Sequence, residues 1–177
     1  VGQGVKAAVF TAYRRWFLPR LLGSADRVVV SSMDYAEGSQ LAPWLDEIRR
    51  KVVAIPNGVD VTRFSPGHEP GLAGRYGLEG SRVVLFVGGL DAAHYFKGLE
   101  HLIAAVALLP DDVRLLVVGR GERQPYFHRL AVAAGIGDRV QFASTVSDVA
   151  LPAHYRLADV AVLPSVDRSE AFGIVLL

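Results

Sequence analysis

Six short runs of β-branched and other apolar residues recur along the chain, and their character constrains the fold more than anything else in it. They lie at residues 27–31 (RVVVS), 51–55 (KVVAI), 82–87 (RVVLFV), 114–118 (RLLVV), 139–142 (RVQF) and 159–163 (DVAVL). Several are apolar almost throughout rather than at alternate positions. That is the pattern of strands buried on both faces, as in a parallel sheet covered by helices.

Helical patterns fill the gaps. Over residues 98–109, Leu99, Leu102, Ile103, Val106 and Leu109 share one face at helical spacing. Residues 123–134 form a second helix closed by Gly135, and residues 151–157 a third with Pro152 in its first turn, where proline is tolerated. Strand and helix in alternation predict βαβ units of an α/β protein.

Residues 56–80 interrupt the alternation with three of the nine prolines and six of the eighteen glycines. Residues 59–80 therefore read as a linker. Residues 1–58, with a helix over about 3–18 and two strands, read as the end of one α/β domain. Residues 81–177 read as the first units of another. The chain opens on Val1 without a start Met and ends in the apolar run 174–177, so it reads as part of a longer protein.

Composition excludes several function classes. There are no cysteines, hence neither disulfides nor thiolate metal sites. The five histidines show no metal-ligand spacing, and a net charge of +1 argues against a nucleic-acid partner. No apolar run approaches the roughly 18 residues of a spanning helix. Lys6, Arg14, Arg15 and Arg20 all precede the first acid, Asp26, around an apolar side formed by Val5, Ala8, Val9, Ala12, Trp16 and Leu21. Such a helix packs on a domain core or lies on a membrane surface.

In doubly wound sheets, ligands bind beyond the carboxyl ends of the strands. Three strand ends here are unusual. After the run at 82–87, Gly88-Gly89 lets the backbone pass close to something, and Lys97-Gly98 opens a helix. A lysine there opposes the helix dipole but suits a phosphate; the alternative is a mobile loop with a solvated lysine. After the run at 114–118, Gly119-x-Gly121 lacks the third glycine of a dinucleotide fingerprint, since position 124 is Gln124, so it reads equally as a tight turn. The third is SVDRSEAFGIVLL, residues 165–177, where Ser169 is expected to cap a helix carrying Glu170 in its first turn. Gly173 in that turn costs about 1 kcal/mol against alanine. It makes sense if a ligand lies against the helix end.

Together these stretches resemble the retaining glycosyltransferases of the group-1 type, which have the GT-B architecture of two Rossmann-like domains. ADRVVVSS and VVAIPNGVDVTRF look like the end of that family's first domain and its crossing into the second. VGGLDAAHYFKGLEHLIAA looks like its phosphate-lysine segment, and LLVVGRGE like the next strand and turn. DRVQFASTVSD and ADVAVLPSVDRSEAFGIVLL complete the series.

The resemblance implies that residues 1–58 belong to an acceptor domain and residues 81–177 to a domain binding a nucleoside-diphosphate sugar. Lys97 matches the lysine that meets the diphosphate, and Glu170 the carboxylate that holds donor-sugar hydroxyls. These two are the expected catalytic residues. Ala171, Phe172 and Gly173 would offer backbone N–H groups to sugar and phosphate. Gly88, Gly89 and Arg120 would line the donor site, with Thr145 and Val146 near the base. The family's second glutamate would fall just after Leu177. Arginine is usual where this chain has Gly89, and His94 and Arg120 are the candidate substitutes.

The implied function is hexose transfer from a UDP- or GDP-sugar to a glycan or lipid-linked acceptor, in polysaccharide or glycolipid biosynthesis. No metal and no cofactor are implied. The implied location is cytoplasmic, with peripheral contact at the membrane face as a further reading. Residues 1–177 alone are not expected to transfer sugar. Two rival readings stand beside this one: a non-catalytic nucleotide-sugar-binding module, favoured by Gly89, and a nicotinamide-type Rossmann protein, opposed by Gln124.

Overall fold

A computed structural model describes residues 2–177 and divides the chain into two compact units, one ending at Asn57 and one spanning Gly58–Leu177. The first opens with helix α1, Gly2–Ala12, which passes through a π-helical turn, Tyr13–Phe17, into α2, Leu18–Ser24. The helix read over residues 3–18 therefore continues to Ser24. Pro19 has no N–H for the Arg15 carbonyl, and the wide turn before it absorbs the misfit instead of ending the helix.

Strands β1, Val28–Val30, and β2, Val52–Ala54, pair in parallel with Val28 opposite Val52. Between them lie two short helices not read from the sequence, α3, Met33–Glu37, and α4, Leu45–Ile48. Ser32 caps α3 by accepting the Tyr35 N–H at 3.0 Å. The small core is Val30, Ala36 and Leu45. Along α1 and α2, Val9, Phe10, Tyr13, Trp16, Phe17 and Leu21 are exposed beside Arg14, Arg15 and Arg20. The side chains of Val5 and Lys6, also assigned to that helix, lie outside the described residues. Among the described residues no helix is long and apolar enough to cross a membrane.

The second unit is a four-stranded parallel sheet in the order β5-β4-β3-β6, with β3 Arg82–Val87, β4 Val113–Val118, β5 Val140–Ser144 and β6 Val160–Ala161. Its helices are α5 Pro70–Tyr76, α6 Leu99–Val106, α7 Gln124–Ala133 and α8 Leu151–Leu157. Both faces are covered, which explains the unbroken apolar runs. Val84, Phe86, Leu115 and Val117 point into a core closed by Leu102, Ile103 and Val106 of α6 and Phe127 and Ala131 of α7. Their neighbours Val83, Leu85, Leu116 and Val118 point the other way, against Tyr76 of α5 and Leu151, Tyr155 and Leu157 of α8.

The segment read as a linker is corrected here. Residues 58–80 carry α5 and belong to the second compact unit. Leu78 is buried in its core, the Phe64 ring meets Tyr155 edge-on at 5.7 Å, and Glu69 pairs with Arg156 at 2.7 Å. Proline and glycine shape this segment's turns without detaching it.

Candidate functional site

The carboxyl ends of β3 and β6 meet where Gly98 packs on the chain leaving β6. A Cβ at Gly98 would stand 2.1 Å from the Pro164 carbonyl oxygen, and its φ of +69° is itself costly for any other residue. Beside it, the Val166 N–H donates to the Phe96 carbonyl at 2.9 Å. These backbone contacts join a 3-10 turn, Ala92–Lys97, to residues 164–166. Gly98→Ala is therefore expected to separate the two loops and lower both the melting temperature and the affinity for a bound nucleotide. Thermal unfolding with and without UDP checks this, and an unchanged melting curve would refute it.

That junction brings Lys97 to Glu170. Lys97 Nζ donates to Glu170 Oε2 at 2.7 Å, with the side chains 14% and 19% exposed. Glu170 Oε1 accepts the Gly173 N–H at 3.2 Å, and Ser165 Oγ lies 3.5 Å from Oε2. The ammonium also stands 5.6 Å from the centre of the Phe96 ring. An ammonium has three donors, and the described residues accept only one of them. The N–H groups of Ala171 and Phe172 donate to no acceptor among the described residues. The cluster thus combines a largely shielded cation, a carboxylate and free backbone donors, a set suited to an anionic, hydroxyl-bearing ligand.

The helix expected from Ser169 onward is not formed. The Ser169 N–H turns back to Asp167 Oδ1 at 2.7 Å, Gly173 takes a left-handed φ of +72°, and residues 174–176 make one 3-10 turn. Glu170 is accordingly a loop residue, held by Lys97 rather than by a helix N-terminus.

The other expected residues fall out as follows. Gly88 and Gly89 do make room, but for the protein's own side chains: a Cβ at Gly88 would stand 2.7 Å from Lys97 Cδ, and one at Gly89 2.5 Å from His94 Nδ1. Gly119-x-Gly121 is explained by close packing against the loop after β3. A Cβ at Gly119 would lie 1.8 Å from the Gly88 oxygen, and one at Gly121 2.0 Å from the Leu90 carbonyl carbon. Arg120 is exposed, and its carbonyl accepts the Leu90 N–H at 2.9 Å. Thr145 is exposed just past β5, whereas Val146 packs against the core of the α5 and α8 face.

Two features were not read from the sequence. One is the Asp91–His94 pair, with Nδ1 2.8 and 2.9 Å from the two carboxylate oxygens. The other is the Gly98–Pro164 contact. A hollow of about 720 Å³ in the same unit is lined by residues including Phe64, Tyr155, Arg156 and Ile174, and its lining contains neither Lys97 nor Glu170.

The family described as glycosyl transferases group 1 matches residues 74–177. D-inositol 3-phosphate glycosyltransferase of Geodermatophilus obscurus is 34% identical over 171 residues, covering 89% of this chain and 36% of that protein. The chain thus spans little more than a third of that relative's length. Sucrose-phosphate synthase of Thermosynechococcus elongatus superposes with a TM-score of 0.67 at 30% identity, over 88% of this chain and 38% of that one. The Anabaena protein HepE, in its complex with UDP and glucose, superposes with a TM-score of 0.70 at 24% identity, over 96% and 43%. The last of these speaks to fold alone.

Proposed function

The chain belongs to the glycosyl transferases group 1 family, and from that premise we propose that residues 58–177 carry the donor half-site of a retaining glycosyltransferase. The donor is a UDP- or GDP-sugar, and its hexose goes to a glycan or lipid-linked acceptor. Residues of the first unit then belong to the acceptor side of the enzyme. The observation that carries this reading is the meeting of Lys97, Glu170 and the free N–H groups of Ala171 and Phe172 at the ends of β3 and β6.

When the bond from the sugar's anomeric carbon to the diphosphate breaks, negative charge grows on the leaving phosphate. A fixed ammonium stabilises that charge without reorganising. Lys97 has donors left over for phosphate oxygens while Glu170 keeps it aimed. Glu170 in turn has acceptor capacity for sugar hydroxyls. The adjoining N–H groups of Ala171 and Phe172 add neutral donors at the same end.

Calorimetric titration with UDP and GDP, and transfer from their sugars by the full-length protein, test the reading. A chain that binds neither nucleotide overturns it. Since Lys97 supplies the positive charge, transfer is expected to continue in EDTA at its untreated rate. Loss of activity restored by magnesium or manganese would contradict that.

A further inference from the structure

We infer that His94 is a second donor-binding side chain, giving a hydrogen bond from Nε2 to a phosphate oxygen of the nucleoside diphosphate, with Gly89 and Asp91 as its positioning residues. This rests on the donor half-site proposed above and adds a residue to it.

Four observations carry it. First, the ring lies directly on the Gly89 backbone: a Cβ there would stand 2.5, 2.8 and 2.9 Å from Nδ1, Cγ and Cε1. Any side chain at position 89 would evict it. Second, Asp91 fixes the ring's orientation. Its carboxylate meets Nδ1 at 2.8 and 2.9 Å and also accepts the Ala93 N–H at 2.9 Å. These contacts hold the Asp91 carboxyl below its ordinary pKa, the His94 hydrogen bond first among them. The ionised Asp91 carboxylate accepts a hydrogen bond from Nδ1–H, and with that nitrogen donating, Nε2 donates as well when the ring is the imidazolium.

Third, the same loop is pinned from β4's side, where Glu122 Oε1 accepts the Ala92 N–H at 2.8 Å. Such bracing is more than a solvated histidine requires. Fourth, Nε2 has no partner among the described residues, and the side chain is 41% exposed. It shares its surroundings with Lys97. Lys97 and His94 lie over the adjacent glycines 88 and 89, and the Phe96 ring is 6.1 Å from the His94 ring and 5.6 Å from Lys97 Nζ. A phosphate held by Lys97 has a second phosphate attached within the reach of a nucleoside diphosphate. An imidazolium that gives Nδ1–H to the Asp91 carboxylate has its Nε2–H left to donate to that phosphate oxygen.

The test is UDP and GDP affinity of the 177-residue chain and its variants, using whichever nucleotide binds more tightly. His94→Phe keeps a ring on Gly89 but has no donor, and is expected to weaken binding about tenfold. His94→Gln retains an N–H and should recover part of the loss. Gly89→Ala should match His94→Phe by displacing the ring, and Asp91→Asn should fall between. Partial recovery by glutamine is the readout that a purely structural role would not produce. Wild-type affinity in His94→Phe and Gly89→Ala overturns the inference. If Lys97→Ala still weakens binding in that case, the donor half-site survives it. If Lys97→Ala is also silent, or the parent chain binds neither nucleotide, both fall.

Discussion

Lys97→Ala is expected to slow sugar transfer by the full-length protein about a hundredfold, and to weaken UDP or GDP binding more than His94→Phe does. Removing one preorganised group from a developing oxyanion costs on the order of 3 kcal/mol, or roughly a hundredfold in rate. The larger effect belongs to Lys97 because it is the formal cation of the cluster and only 14% exposed, so its field is weakly screened. The substitution also strands Glu170, leaving its carboxylate with the Gly173 N–H and Ser165. A double substitution separates the two effects. With Glu170→Gln added, no uncompensated carboxylate remains, so any recovered melting temperature reports the lost pair. The lost phosphate affinity should not return. Glu170→Gln alone leaves Lys97 unpaired and available, and nucleotide affinity should hold while transfer falls. Lys97→Ala with wild-type kinetics would remove Lys97 from the mechanism.

The strands of the second unit were legible because each is buried on both faces, so apolar composition alone marks it. The match is complete at β3, where arginine and glycine bound an unbroken run. It is poorest at the run 159–163, which shortens to Val160–Ala161 at the sheet edge. Among the described residues β6 pairs with β3 alone, and Val160 is 48% exposed. The helices α3 and α4 escaped notice because they are shorter than the window in which periodicity shows. Ser32, Asp34 and Gly38 were the available signal, as cap, first-turn acid and stop. In the site, Lys97 and Glu170 were marked by chemistry at strand ends, yet their ion pair could not be. It depends on Gly98 meeting Pro164 across the sheet, a contact that no local pattern encodes. His94 is a candidate substitute cation in the sequence, but its seat on Gly89 is a matter of space rather than of sequence.

Arg139 shows the same limit most clearly, and carries the largest stability effect expected in the second unit. In the sequence it is an arginine opening a strand, which usually means a solvated side chain. In the structure it is 6% exposed. Nη2 donates to the carbonyls of Val106, Leu109 and Pro110 at 2.9, 3.1 and 3.0 Å, and Nε to that of Val113 at 3.1 Å. One guanidinium therefore closes the carbonyl end of α6 and the turn that leads into β4. Its contact with Asp111, at 3.3 Å, adds little, because that carboxylate is fully exposed. Arg139→Leu withdraws a donor from each of these carbonyls; those of Val106 and Pro110 keep the Leu109 and Val113 N–H groups, so the cost falls mainly on the others and is on the order of 3 kcal/mol, a large share of the roughly 5–15 kcal/mol that holds a domain together. Arg139→Lys should lose a substantial part of this as well, since one ammonium cannot span acceptors that a planar fork reaches. Asp111→Ala should shift stability by no more than about 0.5 kcal/mol. Urea unfolding of the three variants checks the ranking. An Arg139→Lys midpoint equal to wild type, or an Asp111→Ala loss as large as that of Arg139→Leu, would mean that the ion pair rather than the carbonyl contacts holds this corner of the sheet.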